Sequence, residues 1–495
     1  MMQNKYVLSI DQSTQGTKAL LFDEKGVLVG REDLSHKQIV NDAGWVEHDP
    51  EEIYHNMIET VKNLVEKTGI DKSDIVTIGI SNQRETALVW DRETGKPVYN
   101  AIVWQCARGE AICNRLAKQG AEETIRKATG LRLSPYFSAA KIAWIIENVA
   151  GVKEKAENHE ICCGTVDSYL IYKLTGGKCF KTDYSNASRT QLFNITDLQW
   201  DLEICGLFGI PKESLPQVCD SDSDFGMTDM NGYFDKPVPI QGVLGDSHGA
   251  LFGQGCHTKG MIKTTYGTGS SIMMNIGEKP VFSKKGVVTS LAWKIGGKAN
   301  YVLEGNINYT GAVITWLQKD LKIVSSAKET AELAKLANSA DTTYLVPAFS
   351  GLGAPYWDSN AKAVLYGMTR VTGQAEIVRA GLDCIVYQIV DIVRIMEEES
   401  GVKIKELRVD GGPTRNDYLM QFQSDMLDIP VEVPEAEELS GIGAAYLAGI
   451  KNGIYKKEDL FAGRGCTRYE ASMEEEVRSA KYDGWKEAVS KVLTE

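Results

Sequence analysis

The chain opens with a short apolar run, Tyr6-Val-Leu-Ser-Ile10, then the polar and small stretch Asp11-Gln-Ser-Thr-Gln-Gly-Thr17, then a second apolar run, Lys18-Ala-Leu-Leu-Phe22. Runs of this length bounded by turn residues predict strand–turn–strand, and Asp23-Glu-Lys-Gly26 predicts a second turn into a third strand at Val27-Leu-Val29. A similar phrase returns as Gly260-Met-Ile-Lys-Thr-Thr265, Tyr266-Gly-Thr-Gly-Ser-Ser271 and Ile272-Met-Met-Asn-Ile276. Superposing Thr17 on Thr268 sets the two phrases 251 residues apart, about half the chain, and predicts two similar lobes that each open on a glycine-containing hairpin.

Helical spacing lies between the hairpins. Asp49-Pro50-Glu51-Glu52 predicts a helix start, with Asp49 as N-cap, proline in the first helical position and a capping-box Glu52. Ile53, Met57, Val61 and Leu64 then mark one apolar face. Ile75–Ile80 predicts a strand that ends on Ser81-Asn-Gln-Arg-Glu-Thr86, and Leu407-Arg-Val-Asp410 one that ends on two glycines. A helical run through Met420, Phe422 and Met426 and a terminal helix over Met473–Leu493 complete the pattern. Strands alternating with helices predict an α/β protein, with ligands at the ends of the strands.

Composition narrows the class. The 495 residues suggest two to four domains at ~150 residues each. With 43% hydrophobic and 24% charged residues the chain can bury large cores. A formal charge of −13 argues against nucleic-acid or anionic-membrane partners, while leaving room for a local basic pocket. The apolar start is too short for a secretory segment, and Gly441–Ile450 is about half a membrane span, so a cytoplasmic location is expected. Ten scattered cysteines without a C-x-x-C pair predict reduced, buried thiols rather than disulfides or a zinc site.

Several motifs are excluded. The Gly-Lys pairs at 95–96, 177–178 and 297–298 lack the rest of a P-loop, and no complete G-x-G-x-x-G occurs. Gly245-Asp-Ser-His-Gly249 fits a hydrolase nucleophile elbow, but the only later histidine, His257, is too close for the triad order. In that segment Asp246, after the predicted strand Pro239–Leu244, reads either as a general base for phosphoryl transfer or as a helix N-cap. Asp11 beside Ser13, Thr14, Gly16 and Thr17 could orient Mg²⁺-bound water, with Lys18 adding a cation near phosphate. Gly267-Thr268-Gly269 offers a second phosphate turn, and Asp410-Gly-Gly412 with Asn416 would let a backbone approach a flat ligand.

In this order the segments resemble the FGGY family of carbohydrate kinases, and within it the glycerol-phosphorylating members. The resemblance is carried by Gly44–Pro50, Asn82–Thr86, Asn100–Cys106, Tyr136–Asn148, Thr182–Thr190, Phe349–Asp358 and Arg408–Gly412. It implies two actin-like (ribonuclease H-like) domains with an active site in the cleft between them. Residues 1–253 would bind mainly the polyol and residues 254–495 mainly the nucleotide. It further implies Asp246 as general base and Asp11 as the residue that holds Mg²⁺ through water. Ser13, Thr14, Lys18, Gly267 and Thr268 would follow the ATP phosphates, and Gly311, Gly412 and Asn416 the adenosine. Arg84 and Glu85 would hydrogen-bond the polyol hydroxyls, Trp104 would form a wall against its carbon chain, and Tyr136 would add a hydroxyl contact. A homodimer or homotetramer is implied in the same way.

Three positions depart from that pattern. Lys18 stands where the glycerol-phosphorylating members carry arginine, Ser247 where they carry glutamine, and Ser271 where they carry phenylalanine. Two readings follow: neighbours fill the space and glycerol remains the substrate, or the pocket is larger and takes a four- or five-carbon polyol or ketose. The loop Asn231–Pro237 lacks the Gly/Arg pattern for a sugar bisphosphate effector, and no phosphorylated-histidine match exists, so neither control is expected. A third class is an actin-like ATPase or sugar-sensing regulator, of which a chaperone-type ATPase would have no use for Arg84, Glu85, Trp104 and Asp246 together.

Overall fold

The structure is a computed structural model that describes residues 4–462 and 465–494. In the first half, β1 (Tyr6–Gln12) turns through Ser13–Gln15 into β2 (Gly16–Phe22), which pairs with β3 (Leu28–Ser35). The helix α1 (Pro50–Thr68) leads to β4 (Ile75–Asn82). Further on come α2 (Ser138–Asn148), β5 (Met227–Thr228), β6 (Val238–Gly245) and α3 (Asp246–Gly253). The sheet runs β5-β6-β4-β1-β2-β3, with β1, β4 and β6 parallel and the β1–β2–β3 ribbon antiparallel.

The second half repeats this plan. After β7 (Ile262–Tyr266) and β8 (Ser270–Gly277) come β9 (Val288–Ile295), β10 (Lys298–Ile307), α4 (Gly311–Thr315) and the 27-residue α5 (Gln374–Ser400). Then follow β11 (Leu407–Asp410), α6 (Asp417–Leu427), β12 (Val431–Pro434), α7 (Leu439–Asn452), β13 (Cys466–Tyr469) and α8 (Glu475–Ser490). The order is β9-β10-β8-β7-β11-β12-β13, with β7, β11 and β12 parallel and β10–β8–β7 antiparallel. Each half therefore carries an antiparallel three-strand ribbon continued by two parallel strands.

Three sequence expectations shift. The turns fall at Ser13–Gln15 and Gly267–Gly269, so Thr14, not Thr17, is the counterpart of Thr268, at a spacing of 254 residues; Thr17 already pairs with Gln12 inside the ladder. The third strand starts at Leu28 and continues through the polar Arg31-Glu-Asp33, because it is the sheet's edge and wets one side. Asp49 caps α1 by accepting from Glu51 N–H (2.9 Å), but Glu52 is no capping-box partner; its carboxylate accepts from Lys37 N–H (3.2 Å). The predicted face of α1, Ile53, Met57, Val61 and Leu64, is fully buried.

The apolar Gly441–Ile450 stretch is the middle of α7, which lies on β4, β6 and β1 of the first sheet and against α3. Glycines make this approach possible. A Cβ on Gly79 would sit 2.3 Å from Ala444 O, and one on Gly443 would sit 2.0 Å from Gly249 O. No helix among the described residues is long and apolar enough to cross a membrane, and the ten cysteines are unpaired.

Candidate active site

Parallel strands end together, and here they deliver carboxylates to one edge of each sheet. Asp11 is the next-to-last residue of β1, Arg84 and Glu85 follow β4, and Asp246 follows β6, while Asp410 ends β11 in the other sheet. Between the sheets lies a cleft of about 760 Å³. The first half lines it with Thr14, Arg84, Glu85, Trp104, Tyr136, Asp246 and Ser247, the second with Gly267, Thr268 and Ser271. A second cavity of about 590 Å³ is lined by Asp11, Lys18, Asp410 and Gly412. The remaining expected residues lie off both walls. Ser13 closes the first turn on Gly16 O (3.0 Å), Gly311 N–H bonds Gly267 O (3.0 Å), and the Asn416 side chain is spent capping α6 and bonding Thr330.

Four buried charges interlock at the cleft, and two of them, Arg84 and Glu85, line it. Arg84 reaches across to β10 and donates from both terminal nitrogens to Glu304 (2.8 and 2.9 Å). Arg189 donates to Glu85 (2.5 Å) and stands 3.1 Å from Glu304. Burial alone would raise the Glu304 carboxyl, but the Arg189 and Arg84 guanidiniums outweigh it and hold the group well below the usual carboxylate range. The net effect is a rigid, charge-balanced cluster. Glu85 adopts φ 60°, a left-handed conformation uncommon for a non-glycine residue, and Ser138 holds its carbonyl at 3.0 Å.

Asp246 is the first residue of α3, not its N-cap; Gly245 takes that place. Its carboxylate lies 3.2 Å from Arg84 Nε and accepts from Ser247 N–H at 2.6 Å, and with 35% side-chain exposure it stays open to the cleft. The histidine of the elbow-like motif, His248, is fully buried with its ring 3.5 Å from Ser290 Oγ.

The same lobe adds an aromatic surface to the cleft. Trp104 and Tyr136 meet edge to face at 5.6 Å, and Trp104 Nε1 donates to Thr14 Oγ1 at 2.9 Å. Lys141, fully buried on α2, donates to the carbonyls of Pro135, Tyr136 and Phe137 and so fixes the loop that carries Tyr136.

In the second cavity, burial pushes the Asp11 carboxyl up to about 6 against the pull of Lys18 and of the Ser81 hydroxyl. Lys18 Nζ is 2.5 Å from Glu438, which also pairs with Arg31 (2.6 Å). Burial likewise raises Asp410, opposed by the buried Lys263; Thr265 donates to Asp410 at 2.7 Å.

Sequence reading missed Glu304, Arg189, Lys141 and Lys263. Each is a charged residue inside an apolar or small-residue segment, such as Tyr301-Val-Leu-Glu304, and a buried charge of that kind requires a partner. The signal was present, but the partner was not identifiable.

A two-sheet cleft with repeated ribonuclease H-like topology, a small-residue hairpin turn on each side and strand-end carboxylates defines an actin-like phosphotransferase fold. The chain belongs to the FGGY family of carbohydrate kinases: the family's N-terminal domain matches residues 6–253 and its C-terminal domain residues 262–451. It is 51% identical to glycerol kinase 2 of Thermotoga maritima over 491 residues, covering 99% of each chain. It is 46% identical to the glycerol kinase of Bacillus licheniformis, covering 98% of each. Among solved structures it resembles Plasmodium falciparum glycerol kinase with ADP, at TM-score 0.93 and 38% identity over 99% of both chains. A xylulose kinase from Lactobacillus acidophilus shares the fold at TM-score 0.88 and 20% identity, covering 98% of this chain and 97% of that one.

Proposed function

We propose that the protein transfers the γ-phosphoryl group of ATP to a terminal hydroxyl of glycerol, giving sn-glycerol 3-phosphate. The observation that carries this reading is the single cleft that joins Arg84, Glu85, Trp104, Tyr136 and Asp246 to the second hairpin turn, Gly267–Gly269. The glycerol kinases among its relatives support it.

A polyol offers C–H faces to the Trp104 indole and hydroxyls to Arg84, Glu85 and Tyr136. Because Glu304 holds Arg84 and Arg189 holds Glu85, these groups meet the substrate pre-oriented, and little ordering is left for binding. Asp246 takes the proton of the attacking hydroxyl as the oxygen approaches the γ-phosphorus in line. Arg84, 3.2 Å away, keeps that carboxylate aimed into the cleft. Thr14 and Thr268 sit on facing turns where phosphate oxygens would lie, with Gly267 opening the backbone beside them.

Asp11 suits a cation held through water. Its buried carboxyl lines the same cavity as Lys18 and Gly412. Mg²⁺ bound there would offset charge on the phosphates. Residues 1–253 thus hold mainly the polyol and residues 254–495 mainly the nucleotide, with Ser13, Gly311 and Asn416 shaping the turns around it. Closure of the lobes excludes water and limits ATP hydrolysis.

ADP release with Mg-ATP and glycerol tests the reading. Glycerol-dependent turnover with formation of glycerol 3-phosphate is expected; ATP hydrolysis without transfer to glycerol overturns it.

A further inference from the structure

One wall of the cleft carries polar groups that glycerol contacts at Arg84, Glu85, Trp104 and Tyr136 leave unused. Ser271 on β8 pairs with Thr265 of β7 on one side and Asn306 of β10 on the other. Directly opposed residues of neighbouring strands share a face. Short polar side chains therefore stand in a row, and all three line the cleft.

Their hydrogen bonds are unequally used. Thr265 Oγ1 donates to Asp410 (2.7 Å), and Asn306 Nδ2 is 3.3 Å from Glu304 Oε1. Ser271 Oγ is buried and makes no hydrogen bond. Ser247, beside Asp246, lines the same cleft with a further small hydroxyl. Buried polar groups in folded proteins are nearly always satisfied, so the unsatisfied Ser271 hydroxyl in the cavity wall indicates a hydroxylated ligand that reaches it. A site built to pair with a hydroxyl also selects for the substrate that supplies it.

We propose that this site phosphorylates four-carbon polyols such as erythritol as well as glycerol, with the additional hydroxymethyl group in the part of the cleft bounded by Ser247 and Ser271 and its hydroxyl paired with Ser271 Oγ. The inference rests on the polyol kinase reading above. The terminal hydroxyl oxygen forms a bond to the γ-phosphorus of ATP. The bond from that phosphorus to the β–γ bridging oxygen breaks, its electron pair leaving with ADP, and the hydroxyl proton passes to Asp246. The products are a tetritol monophosphate and ADP.

The test compares kcat/KM for glycerol and erythritol with Mg-ATP, the product being identified by mass spectrometry. Erythritol is expected to reach at least about a tenth of the glycerol value, with a tetritol monophosphate formed. Ser271→Phe, which fills the space, is expected to lower the erythritol-to-glycerol ratio by about tenfold or more. Ser271→Ala, which keeps the space and removes the hydroxyl, is expected to lower it by about threefold, and decides the matter if the phenylalanine variant does not fold. Glycerol turnover with erythritol below a tenth, or an unchanged ratio in the folded variants, overturns this inference alone. Absence of turnover with both polyols overturns the polyol kinase reading together with it.

Discussion

Arg84 and Glu304, 220 residues apart in the chain, form a two-point ion pair at 2.8 and 2.9 Å that joins the end of one sheet to the middle of a strand in the other. The arginine proposed to bind the polyol is thus held by a residue of the opposite lobe. Glu304→Gln leaves Arg84 and Arg189 buried with one less negative charge, which costs about 3–5 kcal/mol of folding stability. It also lets Arg84 swing, so KM for glycerol should rise by about tenfold or more, with kcat falling less. Glu304→Asp, which keeps the charge, should recover part of the KM loss. Urea unfolding and steady-state kinetics on the two variants check this.

Asp246 is structurally cheap and chemically costly to replace. It makes no N-cap bond for α3 and keeps 35% side-chain exposure, so Asp246→Asn should leave the unfolding midpoint nearly unchanged. Loss of the general base should lower kcat by about 10²–10⁴-fold while KM for glycerol moves little. Wild-type kcat in the asparagine variant would exclude Asp246 as the base.

What could be read from the sequence was local. Asp11, Arg84, Glu85 and Asp246 each end an apolar run, so strand-end logic places them without knowledge of the fold. The charge cluster was out of reach because Glu304 and Arg189 acquire meaning only when β10 lies across the cleft from β4. The repeated hairpin was visible as a pattern of small residues, but its register was set by ladder hydrogen bonds, which make Thr14 the counterpart of Thr268 and put Thr17 inside β2. The edge strand β3 was cut short because its polar residues look like loop. Asn416 reads as a nucleotide contact in sequence, whereas its side chain serves the helix that follows it.

A buried acid gives the protein a pH-dependent stability. Burial pushes the Asp167 carboxyl up to about 7, and the neighbouring Asp183 adds to the effect against hydrogen bonds from Thr165 and Thr182 (both 2.6 Å). The unfolded chain releases this proton near 3.8, so between about pH 3.8 and 7 the folded state binds more protons than the unfolded one. Stability from this group is therefore full below pH 3.8 and lost as pH rises to 7, with a slope of at most about 1.4 kcal/mol per pH unit. Asp167→Asn removes the titration. The variant should gain stability relative to wild type from pH 5 to 7 and hold that gain at pH 8, as read from urea midpoints at each pH.

Two glycines separate packing from ligand contact. Gly443 lies where α7 meets α3, and an added Cβ would stand 2.0 Å from Gly249 O, a backbone atom that cannot turn aside. Gly443→Ala should cost about 1–3 kcal/mol or more. Because α3 begins at Asp246, any shift that relieves the clash also moves the base relative to Arg84, and a displacement of about 1 Å can lower the rate by about 10²-fold. Gly412 has nothing within 4 Å of its Cβ position but lines the second cavity. Gly412→Ala should therefore leave the unfolding midpoint unchanged and raise KM for ATP with KM for glycerol unaltered. Equal stability losses in the two variants, or a glycerol effect in Gly412→Ala, would show that the second cavity does not serve the nucleotide.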